Sequence, residues 1–196
     1  GAVLGPQDSW LAIRGAQTLP LRYERISRSA LRVAEFLQRH PDVAGVNYPG
    51  LPSHPNHLVA RSQGIDTSSE GQYGGVISFW LKDDREENAV ELVRNTRLIT
   101  LAESLGGPKS LVCVPSRMTH ASVPREARIA AGIHDSLVRV SIGLEHPDDL
   151  INDLEQAIAG ARAQREGVRA GENRPALAAS HAGIFSPSST TPEIPA

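Results

Sequence analysis

Two periodicities follow one another near the end of the sequence, and together they constrain the fold most. In the stretch SLVRVSIG, branched aliphatic residues alternate with polar ones: Val138, Val140 and Ile142 against Arg139 and Ser141. This period of two is typical of a β-strand with one buried face. The next segment, PDDLINDLEQAIAG, opens with Pro147 and two Asp, repeats apolar residues at helical spacing and stops at Gly160. A one-sided strand followed by a one-sided helix predicts helices packed on a sheet.

The rest of residues 1–160 repeats this alternation of helix and strand signals. Helices are predicted at 6–15, 86–95 and 124–132, with a long amphipathic helix over 18–40. The apolar stripe of that long helix is Leu19, Tyr23, Ile26, Ala30, Val33, Phe36 and Leu37. Further strands are predicted at 42–47, 74–81, 97–102 and 110–114. The predicted fold class is therefore α/β, an α+β layer with the sheet covered by helices.

Residues 161–196 have a different composition from the rest of the chain. They are rich in Ala, Gly, Ser, Thr and Pro and have few large apolar side chains. Such a segment cannot bury enough surface to offset the entropy lost on ordering. We expect a disordered tail from residue 161 onward.

Composition excludes several classes of partner. A net charge of −2 gives no reason to expect binding to nucleic acid or to an anionic membrane. The longest apolar runs, such as VISFWL at 76–81, are too short to span a bilayer. The single cysteine, Cys113, lies in an apolar strand, which favours a packed thiol and fits a reducing compartment such as the cytoplasm.

Arg139 is the first candidate for a ligand-binding residue. Its guanidinium shares a strand face with Ser141, and its planar fork suits a carboxylate. That carboxylate could belong to a small anionic ligand or to a structural ion pair with Asp or Glu. Gly106 and Gly107 would let the backbone come close to such a ligand, and Thr119 adds a hydroxyl.

A metal site has weaker support. His54 and His57 have a spacing that some metal sites use. No cysteine or carboxylate pair completes the set, and the Pro-rich context favours a surface turn. We therefore predict no metal.

Several of these segments together resemble a known family. LAESLGG, PSRMTHASVP and LVRVSIGLEHPDDLINDLEQAI, with VNYPGLPSHPNH and the opening GAVLGPQDSWLAIRGAQTL, are similar to the C-terminal part of the Cys/Met-metabolism enzymes that use pyridoxal phosphate (PLP). The resemblance covers roughly residues 1–160 and implies the C-terminal domain of a fold-type I PLP-dependent enzyme. It implies that residues 1–16 end the cofactor-binding domain, 17–40 form a connecting helix and 41–160 form a small domain.

The resemblance also implies roles for four residues. Ser104, Thr119 and Arg139 would hold the α-carboxylate of the substrate, which gives the Arg139 fork a specific ligand. Glu103 falls where lyases of the eukaryotic type have a Glu that influences substrate choice.

The cofactor residues of the family do not match positions in this chain. The resemblance implies PLP as cofactor, but the Schiff-base lysine of the family lies upstream of the matched segment, so no catalytic and no cofactor-binding residue is identified here. Lys82 and Lys109 match no part of the lysine motif and are expected to be solvated. We expect the chain to be the C-terminal part of a larger polypeptide and inactive when isolated. Gln17, where the family has Lys or Arg, and the loop 64–75 depart from the family pattern.

The reaction implied by the resemblance is the trans-sulfuration of sulfur amino acids. The favoured reaction is cleavage of cystathionine into cysteine, 2-oxobutanoate and ammonia. The alternatives are a γ-synthase reaction, which joins cysteine to an activated homoserine, a methionine γ-lyase reaction, or a non-catalytic fragment that acts as an interaction module. Members of the family are homotetramers built as dimers of dimers, so a sulfur amino acid and further copies of the protein are the implied partners.

Overall fold

The computed structural model describes residues 2–63 and 72–172, which form a mixed sheet with helices. The helices are α1 (Pro6–Ala16), α2 (Leu19–Arg39), α3 (His57–Gln63), α4 (Glu86–Asn95), α5 (Arg125–Ala130) and α6 (Pro147–Glu172). The strands are β1 (Val43–Asn47), β2 (Val76–Leu81), β3 (Thr100–Leu101), β4 (Leu111–Cys113) and β5 (Val138–Ser141).

The five strands form one sheet in the order β1-β2-β5-β4-β3, with β5 in the centre. β5 is antiparallel to both of its neighbours, pairing Ser78 and Cys113 with Arg139 on either side. β1 is antiparallel to β2, whereas β3 runs parallel to β4 at the other edge. The last strand in the sequence is therefore the central strand of the sheet and pairs with a neighbour on each side.

One face of the sheet is covered by α2, α4 and α6. The aliphatic side chains of Val138, Val140 and Ile142 are fully buried on this face, as the alternation in β5 predicts. They pack in one core with Leu37 of α2 and Leu154 of α6, among other residues. The α/β layer predicted from sequence is thus confirmed.

α2 buries only part of its predicted stripe. Ile26, Ala30, Val33 and Leu37 are buried, but Leu19 is 52% exposed and Tyr23 is 36% exposed. The predicted stripe is therefore not buried at Leu19 and Tyr23, which line an open hollow with Val76 and Ser141 and are not part of the core. α1 likewise buries none of its side chains.

β3 is shorter than the strand predicted over 97–102. The backbone N–H groups of Arg97, Leu98 and Ile99 donate to the carboxylate of Asp153 on α6, at 2.8, 3.0 and 2.9 Å. Because these donors are already satisfied by a side chain, the chain joins the strand ladder only at Thr100.

Two helices differ from the sequence predictions. α3 begins at His57, where a surface turn was expected. α6 continues through Glu172, so the tail does not begin at residue 161. Ala161 is buried, and Ala, Arg, Gln and Glu predominate from 161 to 172, which are good helix formers. The remainder of the predicted tail, 173–196, and residues 64–71 lie outside the described residues.

No helix among residues 2–63 and 72–172 combines the length and apolar character needed to cross a membrane.

A polar cluster ties the end of β2 to the start of β5. The N–H and hydroxyl of Ser136 donate to Asp84 Oδ1 at 2.8 and 2.7 Å. Asp84 Oδ2 lies 3.2 Å from His134 Nδ1, and the His134 ring stacks on Trp80 at 4.6 Å between centroids. Burial alone would raise the pKa of Asp84, but the hydrogen bonds from Ser136 and His134 together lower it below its ordinary value.

This cluster predicts a pH-dependent stability. Asp84→Asn should lower the free energy of unfolding at neutral pH, because an amide cannot replace an ionised acceptor of these bonds. Since folding lowers the pKa of Asp84, its contribution is present above about pH 4 and is lost as the pH falls through the folded-state pKa. Urea unfolding of the wild-type chain and of Asp84→Asn should be measured from about pH 7 to about pH 3. The difference between their free energies of unfolding should become smaller as the pH falls. A constant difference across that range would contradict the prediction.

Candidate functional site

The candidate site lies on the sheet face opposite the three helices. Arg139 and Ser141 of β5 project from this face, because alternate residues of a strand share a side. Arg139 is half-buried between Ser78 and Cys113 of the neighbouring strands. Ser141 is buried.

Arg139 is engaged by the loop that follows β3. Its Nη2 donates a hydrogen bond to the backbone carbonyl of Glu103. The side chains of Glu103 and Ser104 are exposed at this point. The structure therefore joins two predicted site residues, Arg139 and Glu103, through the backbone carbonyl of Glu103, and Ser104 follows Glu103 in the same loop.

Cys113 lies directly beside Arg139. Burial raises the pKa of the Cys113 thiol, and the positive charge and hydrogen bonding of Arg139 only partly offset this effect. The thiol thus stays protonated at neutral pH, in agreement with a packed side chain.

The same loop turns sharply at Gly106. Gly106 has a φ of +78°, a left-handed conformation that favours glycine. Its backbone N–H donates to Ser141 Oγ at 2.9 Å. β5 therefore contacts the loop at two points, through Arg139 at Glu103 and through Ser141 at Gly106.

The far end of the loop is held by Glu145, which follows β5. The backbone N–H and hydroxyl of Ser110 donate to the Glu145 carboxylate at 2.8 and 2.7 Å. The N–H of Gly143 donates to Ser110 Oγ at 2.8 Å. A side chain at Gly143 would meet the carbonyl oxygen of Pro108 at 2.5 Å, so only glycine allows this close approach.

Thr119 lies on a separate turn. Its Oγ1 is exposed and is 2.8 Å from Nδ1 of the adjacent His120. Arg128 stabilises this turn, because its Nη1 donates a hydrogen bond to the backbone carbonyl of Ser116 at 3.0 Å. Within the described part of the chain, no hydrogen bond joins Thr119 to Arg139 or to the Glu103–Gly106 loop. Its predicted role in the site remains a prediction.

A small hollow adjoins the loop. It encloses about 100 Å³ and is lined by Leu19, Tyr23, Val76, Gly106 and Ser141, among other residues. The exposed Leu19 and Tyr23 of α2 therefore line this hollow together with Gly106 of the loop.

The described residues do not fit the attachment site of PLP. Lys82 and Lys109, the two lysines of the sequence, are both exposed, so neither is held in a cavity where a cofactor could be enclosed. The planar fork of N–H donors on Arg139 is suited to a carboxylate partner.

The two histidines considered for a metal are engaged in other contacts. His57 Nδ1 is 2.8 Å from the carbonyl of Pro49, and its ring stacks on Tyr73. His54 Nδ1 accepts from the N–H of Asn56 at 3.1 Å. Across residues 2–63 and 72–172 there is no group of three or more side chains suited to hold a metal ion.

Sequence reasoning did not identify Ser141 and Glu145 as site residues. Ser141 was placed on the face of Arg139, which is the signal that could have identified it. Glu145 reaches the loop across 35 residues of sequence, and nothing in its local pattern indicates that contact.

Comparison with known families gives a match over most of the chain. Residues 1–159 match the family model described as Cys/Met metabolism PLP-dependent enzyme. This is the family that the sequence motifs resemble.

The relatives that match this chain are named for different activities. The chain is 48% identical over 158 residues to cystathionine gamma-lyase of Bacillus subtilis, covering 81% of this chain and 40% of the relative. It is 51% identical over 159 residues to cystathionine beta-lyase of Lactococcus lactis subsp. cremoris, again covering 81% and 40%. The chain thus spans about 40% of the length of these relatives.

A solved structure agrees with these matches. The crystal structure of cystathionine gamma-lyase from yeast superposes with a TM-score of 0.77 at 47% identity, covering 83% of this chain and 40% of that one. The fold described above is therefore the fold of a segment of that enzyme.

Proposed function

Because the chain belongs to the Cys/Met metabolism PLP-dependent enzyme family, we propose that it forms the C-terminal part of an enzyme that splits cystathionine. The proposed products are cysteine, 2-oxobutanoate and ammonia, formed with one water from cleavage of the bond between sulfur and the γ-carbon. The name of the Bacillus subtilis relative supports this assignment. When bound, PLP supplies the electron-withdrawing group that this chemistry needs.

The observation that carries the proposal is the placement of Arg139. Its half-buried guanidinium is fixed on one side by the Glu103 carbonyl, and the exposed Ser104 follows Glu103 in the loop. Of the five N–H groups of a guanidinium, one contacts that carbonyl and another hydrogen-bonds the Cys113 thiol, which leaves others for a bidentate contact with a substrate carboxylate. Partial burial strengthens such a contact relative to one in open water.

Ser104 and Thr119 complete the proposed carboxylate site. Each presents an exposed hydroxyl, and a hydroxyl can donate to a carboxylate oxygen. We propose that Thr119 reaches the substrate from its own turn, which Arg128 holds in place.

Glu103 is proposed to act on the other end of the substrate. Its carbonyl faces Arg139 while its carboxylate is exposed. A carboxylate there can attract the second ammonium group of cystathionine, which methionine lacks. This is the basis for preferring cystathionine over a methionine γ-lyase substrate.

A second candidate activity has a specific observation in its favour. The Lactococcus lactis relative, named cystathionine beta-lyase, is 51% identical to this chain. Cleavage on the β side would give homocysteine, pyruvate and ammonia. The two reactions are distinguished by their 2-oxo acids, and a non-catalytic fragment would give neither.

The proposed organisation follows the family pattern. Residues 1–16 would end the cofactor-binding domain, 17–40 would connect it to the small domain, and the assembly would be a tetramer of paired dimers. The fully exposed α1 supports a helix that packs against protein not described here.

A hybrid enzyme tests the function directly. In the Bacillus subtilis cystathionine gamma-lyase, the segment that matches this chain is replaced by residues 1–159. We expect cleavage of cystathionine with 2-oxobutanoate as the oxo acid, identified by chromatography against authentic standards. The unmodified Bacillus enzyme is the control for folding and cofactor content. Pyruvate as the main product would overturn the γ-lyase assignment in favour of the β-lyase, and a folded, PLP-loaded hybrid that forms neither oxo acid would support the fragment reading.

Arg139→Ala in this hybrid should lower kcat/KM for every amino-acid substrate, because all of these substrates carry the α-carboxylate. Loss of a charge-assisted bidentate contact should cost on the order of 2–4 kcal/mol in transition-state stabilisation, or roughly 30–1000-fold in kcat/KM. Arg139→Lys should rescue poorly, since a point charge does not reproduce the fork. The absorbance of bound cofactor should survive both changes. A kcat/KM unchanged by Arg139→Ala would remove the proposed role.

Glu103→Val in the hybrid should shift preference from cystathionine towards methionine. The ratio of the two kcat/KM values should change by up to about fivefold, because an exposed ion pair contributes about 0–1 kcal/mol. Glu103→Gln is the matched variant, since it keeps the length and removes the charge, and it should behave like Val. If Gln retained the wild-type ratio, the charge would have no part in the preference.

A further inference from the structure

Two neighbouring outward residues of β5 hold the two ends of one short turn. Arg139 contacts the carbonyl of Glu103, and Ser141 accepts from the N–H of Gly106 at 2.9 Å. Alternate residues of a strand are about 7 Å apart on one face. The residues between these two contacts, Ser104 and Leu105, are exposed. The turn is therefore fixed at both ends and open in the middle.

The Ser141 contact determines the orientation of the turn at Gly106. Ser141 is only 2% exposed, so its hydroxyl is not free to exchange this partner for bulk water. A side chain added at Gly106 would meet nothing within 4 Å, so the glycine serves the backbone conformation and not a close approach. With φ at +78°, the Gly106 N–H points back at the strand, and Ser141 Oγ is the acceptor that receives it.

The far end of the loop has an independent attachment. Glu145 accepts two hydrogen bonds from Ser110, and Ser110 accepts one from Gly143. Removal of the Ser141 hydroxyl therefore releases the Gly106 end of the turn, while Arg139 still contacts Glu103 and Glu145 still holds the far end of the loop. The effect of such a change is confined to the segment that carries the proposed substrate contacts.

We propose that Ser141 is a positioning residue of the substrate site, which acts through the Gly106 backbone and never touches the substrate. Its hydroxyl holds the turn so that the Glu103 carbonyl meets Arg139 and Ser104 faces the ligand. The ligand part of this proposal rests on the proposed function, whereas the tie between Ser141 and Gly106 does not.

The first experiment measures the tie in the 196-residue chain without any ligand. Amide exchange of Gly106, followed by NMR, should be faster by about tenfold in Ser141→Ala, because the amide loses its acceptor. Ser141→Thr keeps the hydroxyl and should keep the protection. Ser136→Ala is the matched control, since Ser136 Oγ is likewise buried and accepts a backbone N–H, that of Leu81 at 3.0 Å, before the start of β5. Protection at Gly106 that is unchanged in Ser141→Ala, or equally reduced in Ser136→Ala, would overturn the proposal.

The second experiment measures the consequence for substrate in the hybrid enzyme. Ser141→Ala should raise KM for cystathionine by about tenfold with a smaller change in kcat, because a misplaced turn weakens carboxylate binding. Ser141→Thr should restore KM, and Ser136→Ala should leave it unchanged. A fall in kcat at constant KM would overturn the positioning role.

The two experiments separate the two proposals. Faster Gly106 exchange in Ser141→Ala, together with a hybrid that cleaves no cystathionine, would defeat the proposed function and the ligand part of this inference. Gly106 exchange that is unchanged by Ser141→Ala in the 196-residue chain, together with a hybrid that does cleave cystathionine, would defeat the inference alone.

Discussion

The central strand β5 is the element on which both the core and the candidate site depend. Its aliphatic side chains are buried against the helices, while Arg139 and Ser141 extend from the other face. Because strand residues alternate strictly, a shift of one residue in register would bring a guanidinium into the core and an aliphatic side chain into the site. The burial of the core therefore fixes where the site residues point.

The loop after β3 depends on β5 in turn. Its two proposed substrate residues, Glu103 and Ser104, make no contribution to the core, so burial does not hold them in place. Backbone contacts to Arg139 and Ser141 replace that burial, and Glu145 adds a third anchor. Each such bond is worth only about 1 kcal/mol, but together they fix a short segment at several points. Precision at the site thus comes from hydrogen bonds to a strand that the core already holds rigid.

The features that could be predicted from the sequence are those that depend on the local spacing of apolar residues. The one-sided burial of β5 and the apolar stripe of α6 follow from local spacing, and both are present. Polar contacts between residues distant in sequence cannot be predicted from local spacing. Such a contact explains why one strand is shorter than predicted. The carboxylate of Asp153 ended the strand predicted at 97–102, and no local pattern links it to residues over 50 positions away.

The candidate site likewise contains residues that could be predicted from the sequence and residues that could not. Arg139 stands out in its strand because a charge in a half-buried sheet needs a partner. Glu103 and Ser104 were predicted from the family resemblance, and of these two the backbone carbonyl of Glu103 contacts Arg139. Glu145 was not predicted, since its role lies in contacts to Ser110, which is distant in sequence.

The parallel pairing of β3 with β4 determines where new specificities can arise. Parallel strands cannot be joined by a tight turn, so the chain must travel back along the strand before it pairs again. Here that return is residues 102–110, which contains Glu103 and Ser104. Surface loops accept insertions and deletions at little entropic cost. Changes of length in this return would reshape the proposed site around Glu103 while Arg139 stays in place on β5, so selection could alter which compound is accepted without changing the proposed carboxylate contact.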